Sequence, residues 1–576
     1  MQLAVAPTRH DLDEAHSRKR WLDIGVPSIR NLEWVSIGRR VAWALLFLSA
    51  MPLHLFYNAS FFFGRTTTEY LVAEMGESFL DTGPSTALTN VSETRPGVLD
   101  AFENIVLHAP SWDRFTPEEC AAIYSKPLMT GHRTLVLITE EERVQRLPGL
   151  WSIVGSGNWM CDDDNDDPDP IDPRGASCHP TKARFGDRDG AELAPGTTLF
   201  CLAEPFAEDC KLEVSTSLLV AVAVCNALQV FGTLLLFFVL EGPSPLLVTV
   251  GDAAASFLAR GDIFTKGLCA YDHWLLRWRW PAIDERLPIP WTTRTLRRHA
   301  GVSKRWLVMA CAALAAAIIL AIISLGLALA ADARRGTISA AMSYGAFLAK
   351  NRVALISLAR RTVPQVALLV NLPQLAFSAL YLLYNAVLSG FLQAAEWNRF
   401  ARARHPLRLS ARPGGKQRAT RWLSLPPRYG APLALLGALT HWLISQTIFL
   451  ADVSSLDFSG RDSVDHNTLA AGYSSLCVLL VLIFVLVAAV ALAAVGLRPL
   501  TGDMTVAGSC SAAIAAACQN AGETEFGAPV GGGAEDGFWT LPLQWGSLGL
   551  EDPDGVGHLA FSSMAVMPPL DGALYR

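Results

Sequence analysis

Six long, uncharged apolar segments constrain this chain more than any other feature of its sequence. Each has about 20 residues or more, which is enough for a helix to cross the hydrocarbon core of a bilayer. None of the six contains Asp, Glu, Lys or Arg. A soluble fold rarely carries six such stretches, so the sequence predicts a multi-pass membrane protein. The segments are 41–63, 217–240, 306–331, 363–392, 431–451 and 473–497.

The composition agrees with this prediction. Only 17% of the 576 residues are charged, whereas soluble domains average about 25%. The net charge of −6 argues against general nucleic-acid binding. We therefore predict an all-α integral membrane protein with about six transmembrane helices, with membrane lipids among its partners and no nucleic acid.

The distribution of Lys and Arg orients the predicted helices. Residues 1–40 carry seven basic residues, 241–305 carry ten and 394–430 carry nine. If the spans alternate, these segments and the tail 498–576 lie on one side, which the positive-inside rule makes the cytosol. The short outer loop 332–362 carries six basic residues and is an exception that the inner segments outweigh. Both ends of the sequence are then expected in the cytosol.

The largest connection, 64–214, is long enough to form an extracytosolic loop domain. It holds five cysteines, and disulfides persist on that side of a membrane. We expect two bridges among Cys161, Cys178, Cys201 and Cys210, with the pairing left open, since spacing alone does not determine it. Asn90 begins an Asn-Val-Ser sequon and is a candidate for N-glycosylation.

Two other connections have distinctive compositions. The 241–305 loop interleaves four Trp residues with arginines, a pattern typical of an element lying at the membrane interface. The 394–430 loop is basic and is expected to act as a linker. The Gly-rich tail predicts a small cytosolic C-terminal module.

Polar residues inside the predicted spans give the candidate site. Asn371 and Gln374 flank Pro373 in the fourth span, which is either one kinked helix or a broken one. A broken helix exposes backbone groups at mid-membrane, as transporters use. Other neutral polar residues lie in the first and fifth spans, His54 among them. The alternative is that all of them form ordinary hydrogen bonds between helices. The candidate intramembrane polar site comprises Asn371, Gln374, Tyr381, His441 and Gln446.

No catalytic, cofactor-binding or metal-binding motif is found in the sequence. The acidic run 162–172 could suggest a calcium loop, but Asp167 stands where Gly is needed and Pro173 where the bidentate Glu belongs. We therefore predict neither a cofactor nor a metal site.

Several motifs resemble those of one known group. They are APTRHDLDEAHSRKRWLDIGVPSIRNL (6–32), PLHLFYNASFF (52–62), LVTVGDAAASFL (247–258), NLPQLAFSALYLLYN (371–385), AGSCSAAIAAAC (507–518), LQWG (543–546) and VGHLAFSS (556–563). Together they resemble uncharacterised multi-pass membrane proteins of filamentous fungi that share a large domain of unknown function. The resemblance implies a membrane fold without an assigned activity, and a further transmembrane helix upstream of the APTR segment.

Three classes of function remain open from the sequence. The first is a transporter or channel-like protein of the plasma membrane or secretory pathway, acting on an unknown solute through the polar residues of the fourth and fifth spans. The second is a non-transporting receptor or scaffold with a protein partner. A membrane enzyme ranks last. Convergence of the polar residues on one cavity would favour the first class, and a packed bundle would favour the second.

Overall fold

The structure is a computed structural model, and it describes most of the chain. Asn90, Cys161, Cys178 and the acidic run 162–172 lie outside the described residues. The residues that the structure describes are 1–68, 70–77, 98–124, 131–139, 150–153, 198–206, 210–240, 245–280, 287–334, 354–357, 362–411, 413–420, 424–456, 462–519, 537–551 and 555–576.

Long helices lie at all six predicted positions. They are α3 (Ile37–Phe56), α6 (Thr216–Leu240), α9 (Lys304–Arg334), α10 (Val363–Asn398), α11 (Pro427–Thr447) and α12 (Ser475–Gly496). Among the described residues, four of them, α6, α9, α10 and α12, are long and apolar enough to cross a membrane. The other two are less apolar, since α3 has Arg39 and Arg40 in its first turn and α11 contains Arg428 and two prolines. Six spans are therefore not established by length and composition.

Shorter helices lie outside this bundle. They are α1 (Gln2–Val5), α2 (Arg9–Ser17), α4 (Val98–His108), α5 (Pro117–Tyr124), α7 (Val250–Ala259), α8 (His273–Arg279) and α13 (Ser511–Ala517). Capping residues of the expected type fix where several begin. Thr249 accepts a hydrogen bond from the Asp252 amide at the start of α7, and the Asp252 carboxylate accepts one from the Thr249 amide. Asp252 also accepts from the amide of Ser410, which holds α7 against a distant loop.

The chain also contains four β-sheets in the described part, so the all-α prediction holds only for the bundle. The strands are β1 (Phe61–Thr68), β2 (Tyr70–Gly76), β3 (Asp113–Phe115), β4 (His132–Thr139), β5 (Leu150–Ile153), β6 (Thr198–Pro205), β7 (Cys210–Val214), β8 (Ile289–Pro290), β9 (Ala354–Ser357), β10 (Arg408–Leu409), β11 (Arg418–Ala419), β12 (Ile448–Leu456), β13 (Asp462–Tyr473), β14 (Gln544–Glu551), β15 (Gly557–Ser562) and β16 (Leu574–Tyr575). The sheet orders are β7-β1-β12-β13-β9, β3-β6-β4-β2-β5, β14-β15-β16-β8 and β10-β11.

Strands replace parts of three predicted spans. Phe61–Phe63 lie in β1, Ile448–Ala451 in β12 and Tyr473 in β13. These residues are as apolar as a span requires, and aromatic and β-branched side chains also suit a strand. The fourth predicted span is one continuous helix, because Pro373 lies inside α10. The broken-helix alternative is therefore wrong.

One hydrophobic core unites four separate segments of the chain, and we call these segments together the module. Its buried residues come from 12–24, 247–291, 397–409 and 504–575. The predicted C-terminal module is thus not an independent unit, because the tail shares its core with the other three segments. Just after the first of these segments, Gly25 packs closely against α10: its φ is +82°, and a Cβ there would overlap the Gln393 side chain.

The opposite ends of the long helices meet a five-stranded sheet, which we call the rim sheet (β7-β1-β12-β13-β9). Each long helix connects the module with this sheet along the chain. β1 follows α3, and β7 precedes α6. β9 lies between α9 and α10 in sequence. α11 runs directly into β12, and β13 leads to α12. The helices therefore pass between two folded layers.

The helix α10 lies at the centre of the bundle, in contact with α3, α9, α11 and α12. At the rim-sheet end, Asp332 of α9 is only 4% exposed. It accepts hydrogen bonds from the hydroxyl groups of Ser475 (2.5 Å) and Tyr473 (3.3 Å). This carboxylate ties the end of α9 to the beginning of α12.

The described part of 70–206, which lies between β1 and β7 in sequence, forms a small α/β unit, here called the loop domain. Its sheet, β3-β6-β4-β2-β5, is covered on two faces by separate buried clusters, which include residues of α4 and α5. A disulfide joins Cys120 of α5 to Cys201 of β6, with 6.7 Å between the Cα atoms. The expected pairing of Cys201 with Cys161, Cys178 or Cys210 is thus wrong, because α5 packs on β6 and brings Cys120 within bonding range.

We predict that the Cys120–Cys201 bridge stabilises the loop domain. The bridge spans a sequence separation of 81 residues, for which loop entropy gives roughly 4 kcal/mol. Mass mapping without reduction should recover a linked peptide containing both cysteines. The double variant C120A/C201A should unfold at a lower denaturant concentration, whereas substituting Cys225 of α6 should have little effect. Recovery of Cys120 and Cys201 as free thiols would contradict the assignment.

Candidate functional site

A chain of hydrogen bonds runs along one face of α10 inside the bundle. Asn371, Gln374 and Ser378 follow each other at spacings of three and four residues, so they share a helix face. Asn371 Nδ2 donates to the carbonyl oxygens of Leu55 (2.8 Å) and Ala367 (2.9 Å). Gln374 Nε2 donates to Asn371 Oδ1 (3.0 Å), and Ser378 Oγ donates to the Gln374 carbonyl (3.0 Å). The side chains of these three residues are thus bonded to one another and to backbone carbonyl oxygens.

Two histidines from neighbouring helices meet Ser378. His54 lies in the last turn of α3, and His441 lies in α11. His441 Nε2 is 3.2 Å from His54 Nδ1. Ser378 Oγ lies 3.4 Å from His54 Nδ1 and 3.5 Å from His441 Nε2. Phe377 packs edge-on against His441. Three helices therefore converge on one small polar cluster.

The structure brings together only part of the predicted site. Asn371, Gln374 and His441 belong to this network, together with His54 and Ser378. Tyr381 lies elsewhere, with its ring against Gly437, where a Cβ would approach to 2.7 Å. Gln446 donates to the neighbouring Ser445 hydroxyl (3.1 Å). The five predicted side chains therefore do not line one common cavity.

The groove that contains Tyr381 is apolar. It has a cavity volume of about 40 Å³ and lies between α9, α10, α11 and α12. Its hydroxyl groups are largely engaged, since Tyr384 donates to the Ala488 carbonyl and Thr440 to that of Leu436. The lining residues are Leu314, Phe377, Leu380, Tyr381, Tyr384, Leu433, Leu436, Gly437, Thr440, Phe484, Val485 and Ala488. Such a lining suits hydrocarbon better than a hydrated solute.

A second polar constellation, missed by the sequence reasoning, lies in the module. His16 Nδ1 is 2.6 Å from Asp262 Oδ2, and His16 Nε2 is 2.8 Å from Ser511 Oγ. His16 and Ser511 are completely buried and Asp262 is 3% exposed. The His16 ring stacks on Phe257 and meets the edge of Trp280. The three residues come from three of the module's four segments.

Hydrolytic triads have the same order of carboxylate, imidazole and hydroxyl groups. The environment of Ser511, however, indicates that these three residues hold the module together rather than catalyse a reaction. Ser511 Oγ also accepts a hydrogen bond from the Leu22 amide (2.9 Å) and has no exposed surface. Burial alone would raise the pKa of Asp262, but hydrogen bonds from His16, Phe264 N and Thr265 lower it. Asp262 therefore stays ionised and holds His16 in place.

A neighbouring cluster fixes the chain just beyond His16. Asp23 accepts hydrogen bonds from the hydroxyl groups of Ser509 (2.5 Å) and Ser28 (2.8 Å). Arg277 donates to Ser509 Oγ (3.0 Å) and lies 3.7 Å from Asp23. The Arg277 guanidinium also lies over the ring of Trp21, 4.5 Å from its centroid. Residues 21–28 are therefore held by both α8 and the tail.

His558 carries a charge in the module. Its Nδ1 and Nε2 each lie 2.9 Å from a main-chain oxygen, of Arg576 and Gln519 respectively. Carbonyl oxygens only accept, so both ring nitrogens must carry hydrogen. Burial alone would lower the pKa of His558, but the hydrogen bonds with Cys269 and with these two oxygens raise it to about 9.

Among the residues that the structure describes, no group of three or more His, Cys, Asp and Glu side chains is arranged to hold a metal ion. The four Trp residues of the 241–305 loop divide between two environments. Trp280 and Trp291 are buried in the module core, whereas Trp278 is 66% exposed and lies beneath the Arg305 guanidinium. Lys304 lies over Trp274 in the same way. Part of the predicted interfacial element is thus core.

We predict that Ser511→Ala destabilises the module. The change leaves the Leu22 amide and His16 Nε2 without their buried partner, which costs about 1–3 kcal/mol. The control is Ser17→Ala at an exposed position, expected to change stability by less than about 0.5 kcal/mol. Thermal unfolding of the full chain in detergent would measure both. Equal melting temperatures for the two variants would show that the Asp262–His16–Ser511 link carries no stability.

We predict that the module loses stability as the pH rises from about 6.5 to about 9. The folded-state pKa of His558 lies above its unfolded value, so its contribution is complete below about pH 6.5 and disappears as the pH passes through about 9. The contribution is on the order of 3 kcal/mol. Denaturant unfolding from pH 6 to 10 should show this decline in the wild type and a flatter profile in His558→Asn. Parallel profiles would contradict the assigned charge.

Comparison with known proteins finds two families along the chain. Residues 272–575 match a family described as Domain of unknown function (DUF8419), and residues 1–64 match a Family of unknown function (DUF6536). No curated protein matches the chain, and no solved structure matches it. The expected relation to proteins that share a domain of unknown function is confirmed at this level. Because the first match covers more than half of the chain, the protein belongs to the DUF8419 family of unknown function.

Proposed function

We propose that this chain is a non-transporting membrane scaffold or receptor, in which six helices hold the module on one side of a bilayer and the loop domain on the other. The observation that carries the proposal is the single core of the module. Its four segments are separated in sequence by long helices, yet they are packed together. The rim sheet gathers the connections at the opposite ends in the same way.

Two observations support the assignment of the module to the cytosolic side and of the loop domain to the opposite side. The basic segments 1–40, 241–305 and 394–430 all contribute to the module or border it, which supports a cytosolic module. The disulfide lies in the loop domain, which supports an oxidising compartment there. Exposed Trp278 beside Arg305 supports contact between the module and anionic lipid at the interface.

The same geometry weighs against transport, the first class that the sequence left open. Asn371, Gln374 and Ser378 of α10 bond to one another and to backbone groups. The groove that contains Tyr381 is small, about 40 Å³, and is lined almost wholly by apolar side chains. These two observations therefore favour a packed bundle over a pathway for a hydrated solute.

The proposal includes the location and the origin of the protein. A disulfide-bearing domain opposite a basic module fits the plasma membrane or a membrane of the secretory pathway. The motifs at 6–32 and 371–385 resemble those of filamentous fungal membrane proteins, which supports a fungal source. The partner would be a protein that contacts the loop domain or the module.

Cysteine accessibility distinguishes a scaffold from a transporter. In a background lacking Cys161, Cys178, Cys210, Cys225 and Cys311, cysteines introduced at Gln374 and Tyr381 should not react with a membrane-impermeant maleimide from either side of sealed vesicles. Control cysteines replace two exposed residues, Thr292 of the module and Leu107 of the loop domain. These two should react from opposite sides.

Two outcomes would overturn the proposal. Labelling at residues 374 and 381 from the aqueous phase would establish a hydrated pathway and make transport the leading function. Labelling of residues 107 and 292 from the same side would show that the module and the loop domain are not separated by the membrane.

A further inference from the structure

Three segments at the border of the module meet where long apolar helices begin or end. Residues 296–298 lie shortly before α9, Arg399 directly follows α10, and Arg498 follows the end of α12. These three helices are among the four that are long and apolar enough to cross a membrane. The three segments therefore lie at the depth of the lipid headgroups on the module's side of the bilayer.

Hydrogen bonds hold these segments side by side. The backbone of 296–298 pairs with that of 498–500 through two hydrogen bonds of 2.8 and 3.0 Å. Asn398, the last residue of α10, exchanges two hydrogen bonds of 2.7 Å with the main chain of Gly502. The side chain of Arg402 also lies against Gly502, because a Cβ there would be 3.3 Å from its Cγ. The ends of three helices thus build one continuous surface.

Five arginines without acidic partners lie on this surface, and we call them the arginine strip. Four are exposed and the fifth, Arg298, is half-buried. Among the described residues, none of the five forms an ion pair with a carboxylate. The buried Nε of Arg298 has no hydrogen-bond partner at all, which leaves a charged donor without an acceptor. The arginine strip comprises Arg297, Arg298, Arg399, Arg402 and Arg498.

The charges next to the arginine strip leave it positive. Burial lowers the pKa of His405, and the guanidinium groups of Arg399 and Arg418 lower it further. The carboxylate of Glu396, one turn before the end of α10, is already engaged in an ion pair within the module. Asp503 contributes one exposed carboxylate beside the strip. One carboxylate cannot offset five guanidinium groups, so the surface favours a ligand with several negative charges.

We propose that the arginine strip binds the headgroup of a phospholipid whose inositol ring carries several phosphate groups. Guanidinium groups stay charged at physiological pH and bind phosphate oxygens through paired hydrogen bonds. Basic surfaces beside membrane helices on the cytosolic side are typical sites for such headgroups. A headgroup with several phosphates engages arginines of all three segments at once, whereas a headgroup with a single net charge does not.

This site rests on the proposed scaffold function in one respect, since the lipid must lie in the leaflet beside the module. Binding would then confine the scaffold to membrane regions that contain the lipid. The two proposals can fail separately. In detergent, a short-chain lipid reaches the strip from any direction, so a failure to bind there concerns the strip alone. The labelling of residues 107 and 292 reports on the sides of the membrane and not on the lipid.

Lipid binding to the full chain in detergent tests the proposal. The probes are fluorescent dioctanoyl phosphatidylinositol bisphosphate and dioctanoyl phosphatidylserine. The wild type should bind the bisphosphate at least about 10-fold more tightly than the serine lipid. The variant R297Q/R402Q/R498Q removes one exposed guanidinium from each segment. It should weaken binding of the bisphosphate about 100-fold, because each basic residue contributes roughly a factor of five.

A charge-matched control removes three exposed arginines elsewhere on the module. R18Q/R20Q/R260Q changes the net charge by the same amount, and each of these arginines is paired with an acidic residue. This variant should bind the bisphosphate within about two-fold of the wild type. Equal weakening in both triple variants would reduce the effect to general charge attraction and overturn the site. Absence of binding by the wild type, or equal affinity for the two lipids, would overturn it as well.

Crosslinking of the wild type keeps the proposal testable if a variant fails to fold. Photoactivatable phosphatidylinositol bisphosphate in nanodiscs should label peptides from 296–306, 398–404 and 497–503. Labelling confined to other parts of the chain would contradict the arginine strip. Soluble inositol trisphosphate distinguishes a lipid from a free phosphate ester. If it binds the wild type as tightly as the lipid does, the ligand is the soluble ester and the assignment to a lipid is wrong.

Discussion

The burial of apolar surface in the module determines where every long helix of the bundle ends. Residues from 12–24, 247–291, 397–409 and 504–575 fill one core. Each of these segments is joined to a helix that runs to the rim sheet, so the core fixes six helix ends in one layer. Apolar burial is non-directional, so it does not fix how the segments are aligned with one another. The hydrogen bonds of His16 with Asp262 and Ser511, and of Asp23 with Ser509, fix that alignment.

The sequence predicted the helices well and their ends less well. All six apolar segments fall on long helices, because 20 uncharged residues leave few alternatives to a span or a fully buried helix. Phe61–Phe63 and Ile448–Ala451 were counted with the spans but lie in strands. Hydropathy does not separate the end of a span from an apolar strand that follows it directly, since both bury the same side chains.

The candidate site could be predicted only where its members are close in sequence. Asn371 and Gln374 are three residues apart, so helical periodicity alone places them on one face, and they are hydrogen-bonded. His54 and His441 meet across 387 residues, and His16 and Ser511 across 495. No local pattern reports such pairs, because tertiary packing alone brings them together. Cys120 was passed over for the same reason, since its partner depends on how α5 packs on β6.

Buried hydrogen bonds join the two regions of the chain that match families. The segment 1–64 contains His16 and Asp23, whereas the segment 272–575 contains their partners Ser511 and Ser509. Removing the hydroxyl partner of a buried carboxylate or imidazole costs far more free energy than removing the partner of an exposed one. Neither segment can therefore keep these groups buried without the other. The two matched regions therefore contribute to one shared buried core. Asp262, which lies between the two matched regions in sequence, completes the contact by holding His16 in the orientation that Ser511 requires.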